Sequence, residues 1–453
     1  MLNMQTRLPL LALALLGIGV FPAQSTLAEG LPQSARTKQV VEGLYTEDLE
    51  AAAAFQQGVI RYNRRDFRAA EAAFRKALTA DPYIAMARYF LGNALYQQGK
   101  IEQAAEQYEL AIGLDPDLAQ AHYNLGLMQY EQGEINGAIE SYQRAIALNP
   151  ELAAAHYNLG LAYEALGREE AALEKYREAV RLNPDNSRVQ YNLALLLAER
   201  GETEPAVVAL QRVVENNPDS VEAQYRLGLL LAKLDREPEA EVALKKATDL
   251  DPEFAEAQYQ LGLVLVEQEK YGEASGRFRQ VTNLEPENAD AHRQLGISLT
   301  KVGSYEEAVT ALEMAVDLQP NNALTHYNLG VALQRQQNYD DAIAQYREAI
   351  RLDPDLAVAY YNLGVALAQS QRTEAALASL QQARTLYQAE ENLEKIDEIE
   401  AYVEQLRAAQ ASTTAPVVEG EESEEVEVEE LEEIEGTESE ATPPENRRST
   451  GGR

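Results

Sequence analysis

Eight tyrosines, Tyr89, Tyr123, Tyr157, Tyr191, Tyr225, Tyr259, Tyr327 and Tyr361, stand 34 residues apart or at twice that interval, and Arg293 fills the one gap in the row. The residue after each belongs to a second row. It is asparagine at Asn124, Asn158, Asn192, Asn328 and Asn362, and Phe90, Arg226, Gln260 and Gln294 interrupt it. These residue types suit recognition. Tyrosine offers a rigid apolar ring with a polar tip and loses little rotamer entropy when it is covered. An asparagine amide offers two donors and an acceptor, enough to hold the backbone of an extended peptide whatever its side chains. The same rows also fit a structural task, with rings packing between neighbouring helices and amides bridging or capping within the repeat.

The residues that catalysis needs are scattered or absent. His122, His156, His292 and His326 keep the same period and so occupy one packing position, not one convergent site. The chain has no cysteine, which removes thiolate chemistry and disulfides. It has no Gly-rich phosphate loop, no Ser-centred elbow and no paired metal-ligand spacing. No catalytic residue, metal site or cofactor is expected, and the chain is read as not an enzyme.

The elements behind these rows are marked by proline. Pro82, Pro116, Pro150, Pro184, Pro218, Pro252, Pro286, Pro320 and Pro354 recur every 34 residues. Placing proline at position 32 gives ten repeats, beginning at residues 51, 85, 119, 153, 187, 221, 255, 289, 323 and 357. A unit of this length with helical patterning predicts helix-turn-helix pairs that stack to share a core. Position 20 is alanine throughout, from Ala70 to Ala376, position 8 is nearly always glycine, and position 24 is always large and apolar, from Phe74 to Leu380. Small residues facing large ones predict closely crossed helices. Gly99, Gly133, Gly167, Gly201 and Gly303, at position 15, suit a left-handed turn that closes the first helix.

Residues 51–390 resemble the tetratricopeptide repeat family. The runs His122-Tyr123-Asn124-Leu125-Gly126, His156-Tyr157-Asn158-Leu159-Gly160 and His326-Tyr327-Asn328-Leu329-Gly330 carry the resemblance most directly. It implies an all-α fold, a right-handed superhelical α-solenoid whose concave groove is lined by first-helix positions 2, 5, 6, 9, 12 and 13. The groove residues would then be the eight tyrosines, the five asparagines, Asn93, Arg226 and Arg293. The asparagine row resembles the ladder of the O-linked N-acetylglucosamine transferases, although its interruptions put uniform backbone reading in question. The family's two-carboxylate clamp does not carry over, since only Asn93 matches and Tyr89 occupies the lysine site. Basic groove candidates Arg188, Arg226, Lys233, Arg293, Lys301 and Arg335 alternate with Glu199, Glu222, Glu256, Glu267 and Asp290, which predicts salt-sensitive, selective binding. Gln57 and Gln388 depart from the pattern in the first and last repeats, as end units do.

The flanks read differently. Residues 1–28 read as a secretory signal peptide. Arg7 precedes an apolar run, Leu8 to Phe21, too short to span a bilayer, and Thr26-Leu27-Ala28 suits cleavage. An uncleaved anchor, which would hold the chain to the membrane, and a chance apolar start are the alternatives. The mature protein is expected to be secreted across the inner membrane into the periplasm or an equivalent lumen. A lead-in helix is expected at 29–50. Leu386, Leu393, Ile396, Ile399, Val403 and Leu406 predict a capping helix at 391–411, with coiled-coil self-association as the alternative use of that face. Residues 412–453, with fourteen Glu against three Arg, are expected to be a disordered acidic tail of net charge −11. The whole chain carries −35, which argues against nucleic acid as a partner. A basic cluster in repeat 1, Arg61, Arg64, Arg65, Arg68, Arg75 and Lys76, could meet anionic lipid or the tail of another copy, or could be a solvated helix face.

The expected function is non-catalytic binding of a protein or extended peptide by a scaffold or assembly factor. Two alternatives stay open: manganese handling in the assembly of a membrane complex, with glutamates as hard oxygen ligands, and a homo-oligomeric scaffold.

Overall fold

A computed structural model describes Thr46 and residues 48–414, and every regular element among them is an α-helix. The expected signal peptide and acidic tail lie outside these residues, as does most of the expected lead-in helix. The chain divides into two compact units at Pro320 and Asn321. In the first, eight helix pairs follow one another: α1 Leu49–Asn63 with α2 Phe67–Ala80, α3 Ala85–Tyr96 with α4 Ile101–Leu114, α5 Ala119–Glu131 with α6 Ile135–Leu148, α7 Ala153–Ala165 with α8 Glu169–Leu182, α9 Ser187–Glu199 with α10 Thr203–Asn216, α11 Val221–Ala232 with α12 Glu237–Leu250, α13 Ala255–Glu267 with α14 Tyr271–Leu284, and α15 Ala289–Lys301 with α16 Tyr305–Leu318. The second holds α17 Ala323–Arg335 with α18 Tyr339–Leu352, α19 Ala357–Gln369 with α20 Thr373–Ala389, and α21 Leu393–Thr414. Within each unit a helix packs mainly on its partner and on the next pair, the arrangement of an α-solenoid.

Small against large is the rule at the helix crossings. All ten position-20 alanines, Ala70 to Ala376, are fully buried, and the position-24 side chains one turn further along the same helices are at most 1% exposed. A Cβ added at Gly160 would lie 2.6 Å from the Tyr176 ring, and one at Gly126 would lie 2.7 Å from Tyr142. The absent side chain therefore lets the ring of the second helix lie against the backbone of the first. Burying each such ring contributes about 2 kcal/mol.

Turn chemistry is local. Asp81, Asp115, Asn149, Asp251 and Asp353, each just before a framed proline, accept from the amide two residues on, at 3.0 to 3.2 Å. These Asx turns end the second helices. At position 15 the five glycines have φ between 67° and 82°, as their residue type suggested. The other five repeats adopt the same left-handed turn with Arg65, Asp235, Glu269, Gln337 and Gln371, at φ 54° to 63°. Glycine marks the turn where it is present, but the two-helix geometry imposes it everywhere.

The ends are finished as end units. Gln57 is exposed, whereas Leu91 at the same position in repeat 2 is buried. With Gln388 in place of proline, α20 continues for 17 residues, against 14 for α18. A left-handed turn at Glu391 then starts α21, and Asn392 accepts from the Lys395 amide at 3.2 Å. Ile396, Ile399, Tyr402, Val403 and Leu406 of α21 pack on Leu380, Ala383 and Tyr387, so the apolar face of α21 is used in covering repeat 10.

Candidate functional site

The first helix of each repeat presents positions 2, 5, 9, 12 and 13 on one face, because spacings of three and four return to the same side of a helix. Position 5 is the deepest of these. Tyr157 is 8% exposed and the other row tyrosines are half-buried. Their rings rest on the position-24 rings of their own repeats, with Tyr123 against Tyr142 at 6.1 Å, Tyr157 against Tyr176 at 5.9 Å and Tyr327 against Tyr346 at 6.0 Å between centroids. Tyr259 packs on Phe278 and Tyr225 on Phe254.

The two rows serve each other. Asn158 donates from Nδ2 to the Tyr123 hydroxyl at 2.9 Å, and Asn192 to Tyr157 and Asn362 to Tyr327 both do so at 3.0 Å. Each bond joins one repeat to the next. In repeats 2 and 3 a variant replaces it, in which Asn93 Oδ1 accepts from Asn124 Nδ2 and from the Tyr108 hydroxyl, each at 2.8 Å. Burial raises the hydroxyls of Tyr89 and Tyr123, against the lowering effect of these amides, and brings Tyr123 to about 12. Where asparagine gives way to charge, Tyr191 donates to Glu222 at 3.3 Å and Tyr361 to Glu398 at 3.2 Å. Asn328 keeps its amide nitrogen buried and without a partner among the described residues. Asn124, Asn158, Asn192 and Asn362 thus bond between repeats, and Asn328 does not share that bond.

The groove charges are also largely engaged. Arg226 pairs with Glu222 at 2.7 Å and Arg293 with Asp290 at 3.3 Å, while Lys301 lies over the Tyr271 ring. In repeat 1, Arg61, Arg75 and Lys76 pair with Asp66, Glu71 and Glu50. The histidines close turns. Nε2 of His122, His156 and His292 lies 3.0 Å from the carbonyl of the proline six residues earlier, and because a carbonyl only accepts, Nε2 carries the proton. Gln190, Gln224 and Gln258 make the same bond from position 4. Among the described residues no three His, Cys, Asp or Glu side chains are grouped to hold a metal ion.

What remains open on this face is the apolar side chains of positions 9 and 12, two of the groove positions that the resemblance implied without naming these residues. Position 9 is a row of half-exposed aliphatics, including Leu127, Leu161, Leu195, Leu229 and Leu263. Position 12 adds the half-buried Tyr62, Tyr96 and Tyr130. Tyr96 donates to Glu131 at 3.4 Å, and the loss of hydration there pushes the Glu131 carboxyl up from its ordinary range. Glu164 accepts from Tyr176 at 2.6 Å and lies near enough to Tyr130 and Tyr157 for its charge to raise both hydroxyls further beyond the effect of burial. The signal was present in the sequence, since a 34-residue recurrence of leucine at a position the core does not fully bury marks an apolar stripe.

Models of protein families match most of the array. One described as TPR repeat matches residues 92–133, 126–167, 298–337 and 335–371. Others described as tetratricopeptide repeat match 153–186, 191–253 and 357–390, and together these span more than half of the chain. A model described as anaphase-promoting complex, cyclosome, subunit 3 matches 246–315. No match emerges among curated protein sequences. Among solved structures the chain is similar to YrrB, described as a TPR protein with an unusual peptide-binding site, at 25% identity, covering 44% of this chain and 99% of that one with a TM-score of 0.39. It is similar to MamA at 30% identity, covering 36% and 96% with a TM-score of 0.34. It is also similar to PilF of Pseudomonas aeruginosa at 24% identity, covering 45% and 92% with a TM-score of 0.40.

Proposed function

The chain belongs to the tetratricopeptide repeat family, and from that membership we propose that it is a non-catalytic scaffold that holds a protein or peptide partner along the open face of its first helices. The observation that carries this reading is the half-exposed aliphatic row at position 9, set on a floor whose tyrosines are already fixed by packing and by asparagine bonds. A face ordered before binding loses little entropy when it is covered. The leucines would bury ligand side chains, and the tyrosine and asparagine rows would keep the repeats in register beneath them.

The partner would be met after export. Arg7, the apolar run from Leu8 to Phe21 and the small residues Thr26 and Ala28 support transport into a periplasm or comparable lumen. Sequencing the N-terminus of the protein recovered from that compartment tests this, with Glu29 as the expected first residue.

Proximity labelling in the native compartment tests the binding reading, with the parent chain beside Leu195→Asp/Leu229→Asp. A partner captured by the parent and lost by the still-helical variant supports the face. Capture of the same set by both overturns it.

A further inference from the structure

Repeat 1 exposes the side of its first helix that later repeats bury. In repeat 2, positions 3, 7 and 10 are Ala87, Leu91 and Ala94, all at most 1% exposed, and Gln98 at position 14 donates to the Phe67 carbonyl and to Glu71 of repeat 1. One repeat meets the repeat before it on this side. Repeat 1 carries Ala53, Gln57, Ile60 and Arg64 at the same positions, with Leu49 one turn earlier, and all five are exposed, Leu49 at 78% and Ile60 at 43%. Spacings of three and four set them in one stripe. Arg65 and Arg68 follow it and are also exposed, and among the described residues no ion pair engages Arg64, Arg65 or Arg68. The stripe thus runs from apolar to cationic.

A segment of matching character stands elsewhere in the sequence. Residues 419–435 hold eleven glutamates, no lysine or arginine, and the apolar Val426, Val428, Leu431 and Ile434. Residues 29–45, just upstream of α1, instead balance Glu29 and Glu42 against Arg36 and Lys38 and bring the arginines no net charge. Repeat 2 packs on the other side of repeat 1, so the stripe faces away from its own unit.

We propose that this end of repeat 1 docks residues 419–435 of a second copy, whose apolar side chains cover Leu49 and Ile60 and whose glutamates meet Arg64, Arg65 and Arg68. Guanidinium groups suit the task, since each can hold a carboxylate through two parallel bonds. The contact is heterologous: one surface receives a different segment of the next copy, so copies add in series. The stripe lies on another side of α1 from groove positions 2, 5, 9 and 12, and the proposal stands whether or not the groove holds a partner.

Sedimentation of the full chain over a concentration series tests this, beside binding of a labelled peptide of residues 419–435. The parent is expected to grow in mass with concentration and to bind the peptide, and excess peptide should return it to monomer. Arg64→Gln/Arg65→Gln/Arg68→Gln should weaken both by at least about tenfold. Glutamine already stands at the first two of these positions in other repeats, as Gln98 and Gln371, so the variant should fold. Arg144→Gln/Arg177→Gln/Arg212→Gln removes the same charge from exposed positions of second helices and should change neither. Equal loss in both variants shows attraction to net charge alone and overturns the site. Leu49→Ser/Ile60→Ser should weaken the peptide too, and a peptide held as tightly by this variant overturns the apolar half of the contact. A parent that binds the peptide yet stays monomeric at every concentration places the segment on its own chain, and one that associates without residues 419–435 uses another surface. Either result overturns the proposal, as does an absence of peptide binding. If only phosphatidylserine vesicles bind, and the arginine variant loses them, the arginines belong to lipid and the proposal falls.

Discussion

Asn158 donates its side-chain amide to the hydroxyl of Tyr123, 35 residues earlier and one repeat away. The bond makes two rows that could each have faced a ligand into a seam between neighbouring repeats. Its loss should be felt as stability before it is felt as binding.

Tyr123→Phe keeps the ring on Tyr142 but leaves the buried Asn158 amide without its acceptor. A cost of about 1 to 3 kcal/mol is expected in urea unfolding, with peptide affinity little changed in the folded chain. Asn158→Ala should cost less, because the half-buried Tyr123 hydroxyl can turn to water. A larger loss of affinity than of stability would show the row acting directly on ligand.

Gly160→Ala sets a Cβ 2.6 Å from the Tyr176 ring, and an overpacking cost of about 1 to 3 kcal/mol is expected. Repeat 5 already carries alanine at this position, with Leu210 opposite Ala194. Accordingly Gly160→Ala/Tyr176→Leu should recover part of the loss, measured as a thermal midpoint above that of the single variant.

The five position-15 turns without glycine hold side chains at positive φ. Gln337→Gly should raise stability by about 0.5 to 1 kcal/mol, the relief of strain exceeding the added freedom of the unfolded chain. Gly133→Ala, at φ 80°, should change it by a similar amount in the opposite direction. Chemical unfolding of the pair in parallel checks both signs.

Burial alone would raise the Glu71 carboxyl, but hydrogen bonds from Lys100, Gln98 and Arg75 outweigh it and hold the group at about 2. Lys100 comes from the next repeat, 2.7 Å away, and Glu241 is likewise lowered by Lys270 at the same distance. A depressed carboxylate contributes stability that is complete above its unfolded value, near 4.5, and is lost as pH falls towards 2. Glu71→Gln should flatten the stability profile in that acid window and leave its slope near neutrality unchanged.

Much of the fold could be read from composition at fixed spacing. Pro82 and its successors gave the repeat, and Gly126 with Tyr142 gave the crossing, because a small residue opposite a large one has few other uses. The turn at Gln337 was hidden, since its left-handed backbone is imposed by the two helices it joins. The site was legible only in outline. Tyr157 and Asn192 were recognisable as a recurring pair of rows, but the sequence could not say that their polar ends meet each other. That depends on how far one first helix is displaced from the next. Leu161 stands at a groove position that the resemblance implied, but it could not be named as open surface because leucine reads as core until its exposure is known.

Within each unit, a helix pair rests on the pairs beside it in the sequence. Removing or doubling one whole 34-residue block would therefore recreate interfaces of a kind already present. Array length is thus a quantity that gene duplication can adjust in whole steps, like links in a chain. α21, which takes the place of a further repeat on Leu380 and Tyr387, acts as the clasp: new links must be added upstream of it.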